Sequence, residues 1–222
     1  MPKNDFYIKR KSFLRFESAE KNTYTEYTNH RKKALAMAKS DKKLLRIVCI
    51  GLMSALVFAA SQISFTLPAI TGTPTRIHLG NTMCLLAGLL FGGVSGGLSA
   101  GLGSMFYDFT NPLYISSSPI TFITKFCMGF VCGVVAKKGA GTVSRSIVAA
   151  VLGQVTYIVL YLGKTFIESM LLGNALETTL VVIGQKAVAS GINAAVAVAV
   201  SVPLSIAIRK ALVKIPMFSQ IM

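Results

Sequence analysis

Residues 78–111 read HLGNTMCLLAGLLFGGVSGGLSAGLGSMFYDFTN, two apolar segments (78–93 and 95–111) joined by an uncharged turn from Phe91 to Gly97. Each segment is close to the roughly 17–25 residues that a helix needs to cross a bilayer. With no charge to hold it in water, the turn has to be tight. Gly88, Gly92 and Gly96 recur every four residues, as do Gly93, Gly97 and Gly101. On a helix that spacing leaves a face without bulky side chains, so two backbones can approach closely. The stretch predicts a hairpin of tightly packed membrane helices.

Working outward, four more apolar segments follow the same logic: 44–66, 120–136, 146–163 and 180–208. The expectation is an all-α polytopic membrane protein, a six-transmembrane-helix bundle. An even number of spans puts both termini on one side. Cations cluster in alternate gaps: Arg31, Lys32, Lys33, Lys42 and Lys43 before the first span, Lys137, Lys138 and Arg145 between the fourth and fifth, and Arg209, Lys210 and Lys214 after the last. The positive-inside rule assigns these, and both termini, to the cytoplasm. Gaps 67–77, 112–119 and 164–179 then face outward. The expected location is a bacterial plasma membrane, crossed several times.

Composition agrees. A chain with 53% hydrophobic and 14% charged residues and mean hydropathy +0.61 is no ordinary soluble domain. Thirteen of the 23 Lys and Arg precede Ile47, against 5 of the 8 Asp and Glu. The chain therefore divides into a basic tail, 1–43, and a membrane domain, 44–222. Next to a spanning helix, such a tail reads as lying on anionic lipid or a cytoplasmic partner rather than on nucleic acid. Its end, residues 31–43 (RKKALAMAKSDKK), is a helix-prone amphipathic lead-in. The first apolar segment starts too late and runs too long for a cleavable signal.

Ionisable and amide groups inside membrane spans are costly, so each is a site candidate. Lys125 lies six residues past Pro119, roughly 9 Å into the fourth span, with Thr121 one turn before it. Lys186, Ser190 and Asn193 form a stripe at i, i+4, i+7 on the last span. Gln154, Tyr157 and Tyr161 do so on the fifth, leading up to Lys164 and Glu168. The polarity is confined to the outer halves of these spans, which predicts a pocket open outside and sealed below rather than a through-channel. The outward gaps add Arg76, His78 and Asn81, then Tyr107, Asp108, Asn111 and Tyr114. Aromatic, amide and hydroxyl groups with one carboxylate suit a small, flat, polar ligand. The bland alternatives are that the polar groups only satisfy one another, that Asn111-Pro112 is a helix stop, and that Asp108 caps a helix or pairs with Arg76.

Several chemistries are excluded. No G-x-x-x-x-G-K-[ST] occurs, so nucleotide energy has to come from a partner. Cys49, Cys84, Cys127 and Cys132 sit in apolar segments without ligand spacing, and His30 and His78 alone cannot build a zinc site, so no metal or cofactor is expected. Gly93-Val94-Ser95-Gly96 matches the G-x-S-G of intramembrane serine proteases, but His78 lies at the opposite end of that span, roughly 25 Å away at 1.5 Å per residue. No catalytic residue is assigned. A stand-alone ion-coupled carrier is the runner-up, though it would want a carboxylate near the midplane.

Together these motifs give a family likeness. The block Arg76-Ile77-His78-Leu79-Gly80-Asn81 through Leu89-Leu90-Phe91-Gly92-Gly93, the block Gly101-Leu102-Gly103-Ser104 through Asp108-Phe109-Thr110-Asn111-Pro112, and Pro119 through Gly129 resemble the substrate-binding S components of energy-coupling factor (ECF) vitamin transporters. The likeness covers about residues 44–210. Gly51, Ala55 and Ala59 on the first span are similar to that family's A-x-x-x-A docking motif, although ordinary helix packing explains such a face equally well. The resemblance implies a six-helix bundle that binds a water-soluble vitamin or precursor near the outer face. It also implies association with a membrane scaffold (T) subunit and two cytoplasmic ATPases, and no enzymatic activity. Within the family the chain is most similar to the riboflavin-type branch, which includes hydroxymethylpyrimidine and pyridoxine carriers. The absence of Trp removes one flavin-stacking partner, and cobalamin, folate and pantothenate stay open.

Overall fold

A computed structural model describes residues 41–67, 75–137 and 142–212, with side chains omitted at 66–67, 75–77 and 212. The chain divides into Met1–Leu45 and a compact unit, Arg46–Met222. All but the last residues of the expected basic tail and lead-in lie outside the described residues. The described part is helical, as expected, with a short β-ribbon. Helix α1 spans Asp41–Gln62. Strands β1 (Ser64–Leu67) and β2 (Thr75–His78) follow, then α2 (Gly80–Phe91), α3 (Gly93–Phe109), a 3-10 turn (Ile115–Ser117), α4 (Ser118–Lys137), α5 (Val143–Leu171) and α6 (Leu176–Leu212).

Four of these helices, α1, α4 with its 3-10 lead-in, α5 and α6, are long and apolar enough to cross a membrane. At 1.5 Å per residue, the 12 residues of α2 reach only about 18 Å and the 17 of α3 about 25 Å. Rows of exposed side chains such as Leu52, Val155, Val159, Val188 and Val200 cover the outside. A soluble protein does not leave so much apolar surface open, and lipid is the solvent that this surface fits.

The outer connections differ from the sequence reading in two places. The first apolar segment does not stay helical to residue 66. Helix α1 ends at Gln62, and Ser64-Phe65-Thr66-Leu67, with β-favouring residues in alternation, pairs antiparallel with β2, Ser64 opposite His78. The gap expected at 164–179 shrinks to residues 172–175, because α5 runs on to Leu171 and α6 already starts at Leu176. Hydropathy fades there, but the i,i+4 pair Lys164–Glu168 and Glu177 in the first turn of α6 favour helix beyond the apolar stretch.

The glycine pattern explains how the centre packs. Gly92 alone separates α2 from α3, at φ +79°, a left-handed conformation that suits glycine. On α4, Phe122, Phe126 and Phe130 stack in succession, with centroids 6.1 and 5.8 Å apart. This ladder lies in the groove left by Gly101, Gly97 and Gly93 of α3, where a β-carbon on Gly97 would sit 2.9 Å from the Phe126 carbonyl oxygen. On the other side, Gly96 rests on the α2 backbone at Gly88, and Gly88 and Gly96 both meet Gly129 of α4. Three backbones thus converge on one core of Leu85, Leu89, Met128, Cys132, Ala149 and Ala150.

Candidate functional site

One cavity opens at the end of the bundle that carries the β-ribbon, the α3–α4 connection and the α5–α6 turn. Its walls come from seven elements. Helix α1 supplies Ser61 and β2 supplies His78. The end of α3 gives Ser104, Tyr107 and Asp108, and the following turn gives Leu113, Tyr114 and Ser117. Thr121, Thr124 and Lys125 come from α4, Tyr157, Tyr161, Lys164 and Glu168 from α5, and Lys186, Ser190 and Asn193 from α6. The stripes on α4, α5 and α6 share one hollow. One turn further in, Leu85 and Met128 are fully buried and close the bottom.

The floor is Lys125. Its ammonium donates to Asn81 Oδ1 and lies 3.7 Å from the centroid of the Tyr157 ring. Tyr157 stacks on Tyr161, centroids 5.6 Å apart and rings within 13° of parallel, as i,i+4 spacing on α5 dictates. The Lys186 ammonium is 5.6 Å from the Tyr161 ring. Two cations are therefore held against the faces of one aromatic pair, where the ring quadrupole attracts them.

A second cluster builds the wall towards β2. The Asn193 side-chain oxygen accepts from the His78 backbone N–H at 2.9 Å, tying α6 to the ribbon. His78 Nδ1 accepts from the Gly80 N–H at 3.1 Å, which puts the neutral imidazole's proton on Nε2. The imidazole stacks on Tyr107 at 6.3 Å, and the Tyr107 hydroxyl is 3.5 Å from Ser64 Oγ. At the mouth, Lys164 bonds Ser117 Oγ at 2.9 Å and Glu168 at 3.2 Å. The α5–α6 turn beside it is closed by Asn174 donating to Ser169, itself 2.8 Å from Thr179.

Nine of the expected ligand residues thus meet: His78, Asp108, Tyr114, Lys125, Tyr157, Tyr161, Glu168, Lys186 and Asn193. Four stand apart. Asn81 sits behind Lys125 as its acceptor. Gln154, only 2% exposed, lies one turn inward of Tyr157, and neither atom of its amide has a partner among the described residues. Asn111 is a half-buried turn residue whose side-chain oxygen takes the Leu113 N–H at 3.0 Å. Arg76 is in β2, with its side chain outside the described part. Ser61 and Thr124 line the cavity without having been singled out, beside Ser104 and Ser117. A signal for Ser61 existed: Ser54 and Ser61 are seven residues apart on an apolar helix, and both are buried.

Gly51, Ala55 and Ala59 lie on the opposite face of α1 and are exposed, and a β-carbon on Gly51 would meet nothing within 4 Å among the described residues. Among the described residues, this small-residue face is not used to pack the bundle.

The profile of a family described as ECF-type riboflavin transporter, S component, matches residues 41–210, the whole helical bundle and its cavity. The chain belongs to this family. It is accordingly a transporter component and a multi-pass protein of the plasma membrane. No individually curated protein matches the chain. As an S component, it has in the cavity between the β-ribbon and α3–α6 a compartment with the polarity and seclusion that a small-molecule site requires.

Proposed function

We propose that this chain is the substrate-specificity subunit of an ECF-type importer. It captures a water-soluble vitamin or vitamin precursor from outside and delivers it inward together with a membrane scaffold subunit and two cytoplasmic ATPases. In this reading all six helices traverse the membrane, α2 and α3 as a short pair sheltered by their neighbours, and both termini are cytoplasmic. The cavity then faces the exterior. Lys137, Arg209 and Lys210 lie at the far ends of α4 and α6, which supports that orientation.

The observation that carries the proposal is a polar cavity fed by seven elements, with Leu85 and Met128 fully buried one turn inward of it. A through-channel would continue the polarity to the other side. Delivery from a closed-bottomed cavity needs a conformational change driven from elsewhere, and this sequence contains no P-loop to drive it. The exposed Gly51, Ala55 and Ala59 face is the docking surface for the scaffold, since small residues let a partner helix approach closely in lipid.

The test is to purify the protein in mild detergent, identify by mass spectrometry the small molecule that co-purifies, and measure its uptake in cells with and without the ATPases. A bound vitamin whose uptake stops without the ATPases supports the proposal. Uptake that persists without them and collapses with the proton gradient would instead support the ion-coupled carrier.

A further inference from the structure

We propose that the end of the bundle away from the cavity holds an anionic phospholipid, its phosphate gripped by Lys137 and Arg145 where α4 ends and α5 begins. This goes beyond the S-subunit reading and rests on it only for the leaflet, the cytoplasmic one.

The run of the two helices sets the site. Lys137 is the last residue of α4, twelve positions past Lys125, and Arg145 is in the first turn of α5, twelve positions before Tyr157. At 1.5 Å per residue both lie about 18 Å along their helices from the cavity floor. Arg145 Nε donates to the Val135 carbonyl at 3.4 Å, so both cations are fixed at the last turn of α4. That bond uses one guanidinium N–H. Arg145 and Lys137 are exposed, and the guanidinium keeps further donors in the fork that phosphate oxygens match.

This corner is short of negative charge. No Asp or Glu occurs between Asp108 and Glu168, so neither α4 nor the start of α5 carries a carboxylate. Among the described residues neither Lys137 nor Arg145 forms an ion pair. The N-cap of α5, Thr142, makes no side-chain bond to the first turn, and that turn holds no acidic residue. A helix N-terminus favours an anion, whereas this one carries a cation. Phosphate oxygens suit the two side chains and the backbone N–H groups of the same turn.

The surface beside the cations makes the phosphate that of a lipid. Val134 on α4 is 42% exposed, and Val143, Ile147 and Val148 on α5 are 52%, 43% and 50% exposed. Each lies within three positions of Lys137 or Arg145. Long cationic side chains next to lipid-facing residues reach to headgroup level, where anionic lipid attracts them. A free phosphate would engage the cations alone, while a phospholipid also covers the apolar side chains.

Native mass spectrometry of the delipidated full-length protein in detergent, offered dioleoylphosphatidylglycerol and dioleoylphosphatidylcholine in equal amounts, reads which lipid is held. Phosphatidylglycerol adducts are expected to exceed phosphatidylcholine adducts at least about tenfold, and the double variant Lys137→Gln, Arg145→Gln to bring that ratio to about unity. Should loss of the Arg145 bond to α4 weaken the fold, Lys137→Gln alone keeps that bond and is expected to lower the ratio at least about threefold. Equal adducts of the two lipids, or a preference that survives in both variants, overturns the proposal. Displacement of phosphatidylglycerol by millimolar inorganic phosphate overturns it too, since the site would then be one for free phosphate. A lipid ratio of about one, together with loss of the scaffold and ATPases from the purified double variant, overturns it in favour of a protein-docking surface. Failure to find a vitamin bound in the cavity would remove the S-subunit reading and leave the lipid preference standing.

Discussion

Replacing Lys125 by Met removes one ammonium and keeps most of the volume of its stem, so the outcome separates the charge from the packing. In the folded protein that ammonium bonds Asn81 Oδ1 and lies against the Tyr157 ring at 3.7 Å. A hydrogen bond to a charged group contributes about 1.5–3 kcal/mol. If the ligand takes the same ammonium as a donor, its loss weakens binding by about 10- to 150-fold, at 1.4 kcal/mol per decade. Stability moves less, because two effects oppose. The Asn81 oxygen loses its partner beside an amide nitrogen that already has none among the described residues, at a cost of about 1–3 kcal/mol. A desolvated cation disappears at the same time, which relieves part of that cost. The double variant Lys125→Met, Asn81→Leu removes both polar ends and should recover the melting temperature without recovering affinity. Titration calorimetry with the co-purified molecule, alongside melting in detergent, measures both quantities. A single variant that melts normally and binds within about twofold of the parent would refute the placement of Lys125 at the ligand.

Ala55→Leu and Ala59→Leu alter only an exposed face, so folding should change by no more than about 0.5 kcal/mol and ligand affinity should hold, while co-purification with the scaffold and cellular uptake are lost. Persistent uptake would mean that this face contacts lipid alone. Gly97→Leu drives a side chain into the Phe126 ring and backbone, and should cost about 1–3 kcal/mol or abolish folded protein, whereas Gly184→Leu, with open space around it, should be tolerated. Expression and size-exclusion profiles distinguish the two. Asn193→Ala unties β2 from α6 and should weaken ligand binding about tenfold, against no change for Asn111→Ala, whose side chain only closes an exposed turn. Equal effects of the two asparagines in a binding assay would contradict the wall geometry.

What was legible in the sequence is what helical periodicity encodes. Tyr157 and Tyr161, or Lys186, Ser190 and Asn193, announce a shared face because the spacing that makes them a stripe also stacks them in space. Gln154 belongs to the same stripe, yet it sits one turn below the cavity, since periodicity fixes the face and not the depth at which a hollow ends. Asn81 shows another limit. Its identity suggested a ligand contact, whereas its oxygen is taken by Lys125 from a different helix, a pairing between residues 44 apart that no local pattern contains. The β-ribbon was not foreseen because hydropathy does not distinguish the last turn of an apolar helix from a short strand. The decisive signal was the alternation in Ser64-Phe65-Thr66-Leu67 together with a partner strand that begins eight residues after Leu67. The glycines were informative about closeness but silent about partners: the groove along α3 accepts the phenylalanine ladder of α4, not the backbone of α2 alone.

Helix α1 joins the two surfaces on which the proposed activity depends. Its inward face buries Ser54, Val57 and Ser61, and Ser61 reaches the cavity. On its outward face lie Gly51, Ala55 and Ala59, across a helix only about 10 Å thick. The contact beneath is close: Gly103 of α3 packs directly on the Ser54 carbonyl and, where its β-carbon would be, 2.6 Å from Val57 Cβ. No long side chain lies between the two backbones to take up a displacement, and close-packed interiors transmit strain rather than absorb it. Tyr107 and Asp108 follow Gly103 by about one turn of the same helix, so a push on the outer face of α1 moves the segment that carries the cavity's buried carboxylate. A partner docked on the small-residue face, as proposed, would therefore act on the ligand site through two backbones in contact, without needing to reach the cavity itself.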